Sequence, residues 1–452
     1  MKYHITTFGC QANEADSERI AGLLEKIGYK KALDQTSADL LIFNTCSIRQ
    51  TAEDRVFGLN KKLRDLKIIH QRRTRLGREN SSLKIILTGC MTHYPVAKLK
   101  QRLPEIDIFL PIKDLPKLAR HLETPFPSGG FLPKYQSSFR AYIPVSEGCN
   151  NSCSYCIVPL ARGKEIPRPA KEIICEAERL AKTGFKELWL IGQNVNSYKV
   201  EPWGIDAEGV KKKGSTLINF PKLLKEVNSI TGDFWIRFTS PHPTNFSDEL
   251  IQAMAESEKF GHYLNLPVQS GDNEILKKMN RPYTIEKYKE LVSKIRKLIP
   301  DIALSTDVIV GFPGETKKQF ENTAKLFEEI KFDMAYISQY SPRPGTRAAK
   351  IKDNVPKEEK KQREKVLTEI LKKTALENNQ KYVGRIEEVL IEKEKNGWLL
   401  GKNKANKTIK INPHTNFAMA RKRKTAVNGK VSVRVKKALA WGLEGELCQK
   451  KK

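Results

Sequence analysis

The sequence predicts an α/β protein in three parts: an N-terminal α/β domain, a central partial (β/α) barrel and a C-terminal small OB-like β-barrel. Near the N-terminus, short apolar strands alternate with amphipathic helices. From residue 139 onward, six strands alternate with helices, which is typical of parallel βα units. After residue 381, short strands separated by Gly and Asn fit a five-stranded barrel. The predicted boundaries are 1–123, a Pro- and Gly-rich linker at 124–138, 139–378 and 379–448.

In the N-terminal domain, each of three predicted strands ends at a cysteine. These residues, Cys10, Cys46 and Cys90, are called the strand-end cysteines below. Open α/β sheets place their sites at the carboxyl ends of strands, so the three thiols can converge on one metal centre. The alternative is three buried cysteines that act as small apolar residues. The predicted elements are strands Lys2–Thr7, Asp39–Asn44 and Lys84–Thr88 and helix Asn13–Ile27, with Asn13 as its N-cap.

A second set of cysteines, Cys149, Cys153 and Cys156, has the spacing C-x3-C-x2-C and is called the loop cysteines below. Three thiolates from one loop can hold three irons of a cubane cluster and leave the fourth iron open. No fourth Cys or His follows within ten residues, as a closed zinc site would require. A zinc knuckle or three unrelated thiols remain the alternatives. Of the other two cysteines, Cys175 is expected in a helix core and Cys448 is unassigned.

The central domain should carry its chemistry at the carboxyl ends of its strands. Two polar strings, Gln193–Tyr198 and Ser240–Pro243, follow predicted strands. The first either recognises a base edge or a cofactor through its amides, or forms a polar turn. The glycines of Asp307–Thr316 permit close backbone approach near a helix N-terminus. The predicted strands are Ala141–Val145, Glu187–Gly192, Phe234–Phe238, His262–Leu266, Ala303–Val310 and Met334–Gln339. The predicted helices are Pro169–Lys182, Asn219–Ser229, Asp248–Ser257, Ile285–Lys297 and Thr316–Ile330.

A charged helix, Val355–Asn379, leads to the last domain. Residues 381–452 carry 19 Lys or Arg and 6 Asp or Glu, with Arg421–Lys424 the densest basic run. A further basic stretch, Lys61–Arg78, contains eight Lys or Arg. Within it, His70–Arg75 is interpreted as an exposed insert, in contact with nucleic acid or only solvated. The predicted strands of the last domain are Val383–Lys393, Trp398–Lys402, Thr408–Ile411, Lys430–Leu439 and Glu444–Leu447.

Composition narrows the class of protein and its partners. The chain is 39% hydrophobic and 29% charged, which suits a globular fold. No apolar run reaches the length of a membrane span and no signal region is visible, so we expect a cytoplasmic protein with reduced thiols. The formal net charge of +29 indicates a polyanionic partner such as RNA. A solvated basic surface is the alternative.

Several of these strings together resemble the radical S-adenosylmethionine (SAM) methylthiotransferases. They are the loop cysteines with Arg162–Glu165, the Gly-Cys and Thr-Cys turns of the strand-end cysteines, and Asp307–Thr316. The last domain resembles the TRAM module, a small RNA-binding β-barrel. Gln193–Tyr198 resembles the subgroup that acts on isopentenyladenosine in tRNA. Two departures concern substrate contacts: Asn265 stands where the family more usually has His, and Pro159–Arg162 differs from the common Pro-Tyr-Thr-Arg.

The resemblance implies two 4Fe–4S clusters and SAM. The loop cysteines would be catalytic and hold the SAM-binding cluster, Ile309 and Gly311 would contact SAM, and the strand-end cysteines would hold an auxiliary cluster. A radical derived from SAM would remove hydrogen from carbon 2 of an unstacked adenosine beside the anticodon. Implied partners are the tRNA anticodon stem-loop and an electron donor such as flavodoxin or ferredoxin, and the chain should be a monomer. Alternatives are action on threonylcarbamoyl-adenosine or a ribosomal protein, or a non-enzymatic iron–sulfur RNA-binding protein.

Overall fold

The structure, a computed structural model, describes residues 1–48, 50–75, 82–128, 130–201, 217–412 and 427–448. The chain divides into two compact units. The first comprises Met1–Gln136, Glu147–Asn151 and Cys156–Ile166, and the second comprises Ser137–Ser146, Ser152–Tyr155 and Pro167–Lys452. The domain and linker ranges predicted from the sequence stay predictions. Within the described ranges, each helix is too short or too polar to cross a membrane.

The first unit is built on a five-stranded parallel sheet with strand order β2-β1-β3-β4-β5. Its strands are β1 (Lys2–Phe8), β2 (Lys30–Lys31), β3 (Leu40–Thr45), β4 (Lys84–Gly89) and β5 (Ile108–Leu110). Its helices are α1 (Gln11–Lys26), α2 (Gln50–Phe57), α3 (Asn60–Arg75), α4 (Val96–Arg102), α5 (Pro116–His121) and α6 (Val158–Arg162). The three strands predicted from the sequence are confirmed.

The central strand of this sheet, β3, is buried along its whole length. Its sequence Leu-Leu-Ile-Phe-Asn-Thr is a continuous apolar run, as expected for a parallel strand covered on both faces. Helix α1 covers one face through Ile20, Leu23 and Leu24, the periodic apolar residues that predicted it. The interpretation of His70–Arg75 as an insert is wrong, because these residues continue α3. Gln71, Arg72 and Arg75 are exposed as expected, whereas His70 is buried. Residues 76–78 of the basic stretch lie outside the described ranges.

The second unit contains a partial barrel of six parallel strands. Their names are β6 (Arg140–Pro144), β9 (Glu187–Ile191), β12 (Trp235–Phe238), β13 (Tyr263–Asn265), β14 (Ala303–Val310) and β15 (Met334–Gln339). Short strands between them are β7 (Ser146–Glu147), β8 (Ile166–Pro167), β10 (Lys199–Val200) and β11 (Ile218–Asn219). The helices are α7 (Ala170–Lys182), α8 (Phe220–Ser229), α9 (Asp248–Glu256), α10 (Asn273–Lys278), α11 (Ile285–Leu298), α12 (Lys317–Ile330) and α13 (Lys357–Gln380).

The six strands stand in chain order. One sheet runs β6-β9-β12 and the other β13-β14-β15, and a parallel bridge between Ile236 and Phe260 joins the two. The predicted partial barrel and its five flanking helices are therefore confirmed. The sequence interpretation missed the short helix α10, which begins after Asp272, whose carboxylate accepts hydrogen bonds from the first-turn amides.

The C-terminal part of the second unit is a closed five-stranded barrel with order β16-β17-β18-β20-β19. This confirms the predicted small β-barrel. Its strands are β16 (Ile386–Lys395), β17 (Trp398–Asn403), β18 (Thr408–Asn412), β19 (Lys430–Leu439) and β20 (Gly442–Leu447). The basic run Arg421–Lys424 lies outside the described residues.

This small barrel packs against the amino ends of the central strands through buried charges. Arg237 is fully buried, bonds Glu187 at 2.6 Å, and donates to the carbonyls of Asn403 and Lys404 at 3.0 and 2.9 Å. Glu187, the first residue of β9, also pairs with Arg140, which in turn pairs with Glu392 of β16. The two parts of the unit are thus joined by a network in which every buried charge has a partner, as burial requires.

The Glu187 carboxylate should be the most costly single group of this network to remove. Burial alone would raise the pKa of Glu187, but Arg237 and Arg140 outweigh it and lower that pKa to about 2. We expect Glu187→Gln to reduce the free energy of unfolding by about 3 kcal/mol, because it leaves two buried guanidinium groups short of a partner. Urea unfolding measures this, with the exposed ion-pair variant Glu172→Gln as control, for which a change below about 0.5 kcal/mol is expected.

The same substitution should alter the pH dependence. Because folding lowers the pKa of Glu187, its ionisation stabilises the folded protein fully above the unfolded value of 4.5 and progressively less as the pH falls toward about 2. Wild-type and Glu187→Gln stabilities should therefore converge on acidification. A difference that stays constant from pH 7 to pH 3 would contradict this account.

Candidate metal centres

The strand-end cysteines lie just beyond the carboxyl ends of three adjacent parallel strands. Phe8 pairs in register with Thr45, and Thr45 pairs with Gly89. Neighbouring strands lie roughly 4.8 Å apart, so the chain leaves the sheet at three side-by-side positions. Cys46 and Cys90 follow directly, and Cys10 follows Phe8 after one glycine, as the strand-end pattern predicted.

The glycines before two of these cysteines are required by close packing. A Cβ at Gly9 would lie 2.1 Å from Oδ1 of Asn13, and a Cβ at Gly89 would lie 2.3 Å from the Thr45 carbonyl oxygen. Gly89 also has a φ of +87°, which disfavours other residues. The glycines of the Gly-Cys pairs therefore allow the cysteine turns to pack closely against the sheet.

Two buried asparagines fix the turns. Asn13 accepts a hydrogen bond from the Cys10 amide at 3.3 Å and donates to Oδ1 of Asn44 at 3.0 Å and to the Thr45 carbonyl at 3.1 Å. Asn44 donates back to the Asn13 carbonyl at 2.7 Å and to Ser17 at 2.9 Å. The prediction of Asn13 as the N-cap of α1 is wrong: the helix begins two residues earlier, with Cys10 as its N-cap, because the Asn13 side chain bonds back to the Cys10 amide.

Nitrogen donors face two sulfurs of this set. The Ile48 amide donates to Sγ of Cys46 at 3.3 Å, and Nε of Arg162 donates to Sγ of Cys90 at 3.4 Å. Burial raises the pKa of the Cys90 thiol, and the Arg162 guanidinium opposes that rise by favouring the thiolate. Arg162 is itself buried and pairs with Asp16 at 2.6 Å. The surroundings therefore supply the hydrogen bonds and positive charge that a thiolate ligand accepts.

Among the loop cysteines, Cys149 repeats the Gly-Cys arrangement. Gly148 has a φ of +84°, and a Cβ there would lie 2.2 Å from the Lys164 carbonyl oxygen. The Cys149 amide donates to the Gly163 carbonyl at 3.2 Å, and the Asn151 amide donates to Sγ of Cys149 at 3.4 Å. The loop is thus pinned to the segment that follows α6, so only glycine fits at position 148.

Cys153 lies in the second unit beside a buried arginine. Nη1 of Arg281 is 3.6 Å from Sγ of Cys153, Nη2 donates to the Pro267 carbonyl at 3.0 Å, and Nε donates to the Tyr283 hydroxyl at 3.1 Å. Burial alone would lower the pKa of Arg281, but Tyr155, Tyr283 and Cys153 raise it above its ordinary value, so the guanidinium stays charged.

The middle of the cysteine loop is anchored through Ser154. Its amide donates to the Met279 carbonyl at 2.9 Å and its hydroxyl to the Lys278 carbonyl at 2.8 Å. Its own carbonyl accepts from the Ala348 amide at 2.8 Å. These bonds hold the residue next to Cys153 against the end of α10, which leads into Arg281.

Both donor sets suit an iron–sulfur cluster. Within the described ranges, no three His, Cys, Asp or Glu side chains stand together as a preformed metal site. Each set nevertheless offers three thiols, and N–H groups face the sulfurs of Cys46, Cys90, Cys149 and Cys153. Such N–H···S bonds accompany cluster ligands and tune them. The assignment of the six ligands stays a prediction.

The candidate SAM contacts lie at the carboxyl end of β14. Ile309 is half-buried and packs on a core that contains Phe312 and Tyr340. Gly311 has a φ of +69°, and its amide donates to the buried Glu315 carboxylate at 2.6 Å. The Gly311 N–H is therefore already engaged, and contact of either residue with SAM stays a prediction.

Asn265, one of the two departures from the family pattern, is part of a hydrogen-bonded set at the same strand ends. Its amide donates to Oδ2 of Asp307 at 2.9 Å, and its Oδ1 accepts from the Ser305 hydroxyl at 2.7 Å. Both polar atoms of the side chain have partners within the barrel. The substitution is thus accommodated without an unsatisfied group.

The Gln193–Tyr198 string holds a neighbouring loop in place. Asn196 donates to the His242 carbonyl at 3.0 Å and accepts from the His242 amide at 2.8 Å. Asn194 donates to Asn245 at 3.2 Å. For Asn196, the alternative interpretation as a polar turn is therefore favoured over direct reading of a base, because both of its amide atoms are engaged.

The residue so held, His242, is buried with one unsatisfied nitrogen. Its Nδ1 accepts from the Thr244 amide at 3.3 Å, so the ring proton belongs on Nε2. Nε2 has no hydrogen-bond partner among the described residues. The imidazole stands edge-on to Tyr283, with ring centroids 6.0 Å apart. His242 thus offers one buried N–H near Arg281, a role that its Ser-Pro-His-Pro string did not predict.

Aromatic rings meet inside the partial barrel. Trp189 of β9 lies 6.4 Å from Tyr142 of β6 and 6.3 Å from Tyr263 of β13, measured between ring centroids. Since β12 separates β9 from β13 in the strand order, the second contact crosses the lumen. The interior at this level therefore contains three aromatic rings, with Cζ of the buried Arg237 5.7 Å from the centroid of the Trp189 ring. Sequence periodicity could not reveal this row, because both faces of β9 are buried.

The remaining two cysteines lie apart from these sets. The expectation that Cys175 is a core residue is wrong, because the structure places it at the surface. It stands two positions after Ile173, about 200° around the helix from that buried residue. Cys448 follows β20, and its amide donates to Ser432.

We expect the His242 ring to stay neutral across the physiological range. Burial, followed by the charge of Arg281, lowers its pKa to about 3. The ring should therefore carry no charge from pH 5 to pH 8 and should keep its proton on Nε2. Long-range nitrogen–proton NMR, with His242→Gln to assign the signal, tests this. A ring that titrates near pH 6.5 would contradict the buried geometry.

Two family models match the chain. The radical SAM superfamily matches residues 143–327, and the uncharacterized protein family UPF0004 matches residues 2–111. Among solved structures, the radical SAM methyltransferase TsrM from Kitasatospora setae has a TM-score of 0.52 at 15% identity and covers 77% of each chain. This likeness shows the fold alone.

Curated relatives align along nearly the whole chain. A tRNA-2-methylthio-N(6)-dimethylallyladenosine synthase of Clostridium botulinum (strain Hall) is 39% identical over 465 aligned positions, which cover 98% of this chain and 96% of the relative. One of the same name from Thermoanaerobacter sp. (strain X514) is 40% identical and covers 99% of this chain and 93% of the relative. The similarity therefore includes both cysteine sets and the C-terminal barrel.

Proposed function

Because the chain belongs to the family of the tRNA-2-methylthio-N(6)-dimethylallyladenosine synthases, we propose that it inserts a methylthio group at carbon 2 of isopentenyladenosine next to the tRNA anticodon. It is a radical SAM methylthiotransferase. The observation that carries the proposed substrate is similarity to these relatives along both units. The two cysteine sets at carboxyl ends of parallel strands support the chemistry.

The residues of each set have separate tasks in this proposal. Cys149, Cys153 and Cys156 hold one 4Fe–4S cluster, and the strand-end cysteines hold a second. When bound, the clusters and SAM supply the electron, the radical and the sulfur that an unactivated aromatic C–H requires. The chain's part is to fix the sulfurs through the Ile48 and Asn151 amides and to exclude water with a buried barrel interior. Ile309 and Gly311 are proposed to border SAM.

The proposed RNA substrate requires a surface that carries basic and aromatic groups. On the C-terminal barrel, Nζ of Lys410 lies 3.9 Å from the ring centroid of Trp398, and Trp441 is 51% exposed. Exposed aromatic and basic groups together suit RNA, through stacking and phosphate contacts.

The remaining parts of the proposal follow from the chemistry. SAM cleavage consumes an electron, so a reducing partner such as flavodoxin or ferredoxin is proposed. A cytoplasmic location is proposed, because tRNA is the proposed substrate. The anticodon stem-loop is the proposed contact, with the reacting base unstacked, since a stacked and paired base hides carbon 2. A monomer suffices, because this chain supplies all six thiols.

The two cysteine sets should be separable by substitution. Cys153→Ala should abolish SAM cleavage, while Cys46→Ala should leave cleavage and block sulfur insertion. Anaerobically reconstituted wild type should hold about eight irons per chain, and triple Ala substitution of either set should leave about four. Iron analysis and product chromatography measure these outcomes, with the exposed Cys175→Ala as the matched control. Zinc in place of iron, or the reversed pattern of losses, would contradict the assignment.

The isopentenyl group should matter for turnover. Burial of an aliphatic group of this size stabilises a complex by on the order of 2 kcal/mol, so unprenylated tRNA should lose roughly thirty-fold in kcat/KM. Matched prenylated and unprenylated tRNA, incubated with enzyme, SAM and reductant and digested for nucleoside mass spectrometry, give the ratio. Equal turnover would contradict the substrate proposal, as would modification of threonylcarbamoyl-adenosine or of a ribosomal protein instead.

A further inference from the structure

We propose that each cysteine set carries one buried arginine that raises the reduction potential of its cluster: Arg162 for the strand-end cysteines and Arg281 for the loop cysteines. The inference rests on the proposed function, because it takes both sets as cluster ligands. Neither arginine is a ligand or a catalytic group. Each is a positioning residue that acts through one sulfur.

Arg162 follows the loop cysteines in sequence but contacts a strand-end cysteine. It ends α6, six residues after Cys156, yet its Nε donates to Sγ of Cys90 at 3.4 Å. Its Nη2 pairs with Asp16 at 2.6 Å, and Nη1 lies 3.7 Å from Glu147. The segment that carries Cys156 thus places a positive charge beside Cys90, one of the strand-end cysteines. Its guanidinium is held there by two carboxylates of the same unit.

Arg281 differs from Arg162 in its hydrogen-bond partners. Its Nη1 lies 3.6 Å from Sγ of Cys153, and its other nitrogens bond the Pro267 carbonyl and the Tyr283 hydroxyl. These partners are neutral. Arg281 is 7% exposed and Arg162 is 6% exposed, so water screens neither charge well.

The consequence for reduction follows from charge. Adding an electron to a thiolate-bound cluster increases its negative charge, and a nearby positive charge favours the reduced form. Hydrogen bonds to the sulfurs and net charge near a cluster set its potential. Removal of either guanidinium should therefore make reduction harder. Arg281 should have the larger effect, because Asp16 and Glu147 offset part of the charge of Arg162.

Arginine also does what lysine cannot at these positions. Its planar fork reaches a sulfur and two oxygen partners at once, whereas an ammonium is a point charge on a flexible stem. A lysine at either site would keep the charge but could not hold all three contacts. Arg→Lys should consequently lower the potential less than Arg→Gln does.

The experiment isolates each cluster in the full-length chain. Cys10→Ala with Cys46→Ala and Cys90→Ala leaves the loop cysteines, and the triple Ala variant of the loop cysteines leaves the strand-end set. Arg281→Gln and Arg281→Lys are added to the first parent, and Arg162→Gln and Arg162→Lys to the second. Iron content and an EPR-monitored redox titration are measured for each variant.

Each parent should hold about four irons. Arg281→Gln should lower the midpoint potential of the first parent, and Arg162→Gln should lower that of the second by a smaller amount. Arg162→Gln in the first parent should change nothing. The matched control is Arg168→Gln, since Arg168 is a partly buried arginine that bonds Glu176 and the Pro144 carbonyl; its potentials should equal those of the parents.

The outcomes separate the inference from the proposed function. Parents that bind no iron would refute the cluster assignment itself. Parents that bind iron, with potentials unmoved by either Arg→Gln change, would overturn the inference and leave the assignment standing. If a Gln variant loses its iron, the neutral and more apolar Arg→Met variant decides: a potential below that of the parent supports the inference, and an equal potential overturns it.

Discussion

The in-register pairing of parallel strands is the constraint on which the rest of the structure depends. Phe8, Thr45 and Gly89 stand side by side, so the next turns present three cysteines along one sheet edge. Parallel pairing in turn requires both faces of the sheet to be covered, which explains the continuous apolar run of β3. A slip of one residue in this register would reverse every side chain and separate the thiols.

The second unit uses the two ends of its strands differently. At the amino ends, Glu187 and Arg237 form a charged network on which the C-terminal barrel packs. At the carboxyl ends, the buried Arg281 directs a donor at the Cys153 sulfur, and the buried His242 has an Nε2 donor without a partner among the described residues. Buried charges therefore join the two parts of the unit at the amino ends of the strands. At the carboxyl ends, a buried charge lies beside a cysteine sulfur.

Sequence reasoning succeeded where a pattern repeats and failed where a single contact decides. Six βα units, the closed small barrel and the strand-end position of three cysteines follow from periodicity and turn residues, and the structure confirms them. The N-cap of α1 was misplaced because one hydrogen bond from the Cys10 amide to Asn13 decides it. Cys175 was wrongly assigned to the core, because an error of one residue in locating the buried face of a helix moves a side chain from the core to the surface. Arg281 has no periodic signal, since its role arises from contacts more than a hundred residues apart in sequence.

The central claim is that two sets of three thiols each leave one iron without a protein ligand. Mössbauer spectroscopy of full-length protein reconstituted with ⁵⁷Fe, recorded with and without SAM, tests it most directly. We expect about eight irons in two cubane clusters, with one iron changing its signal when SAM binds through nitrogen and oxygen. A spectrum with a single cluster, or one that SAM leaves unchanged, would contradict the account.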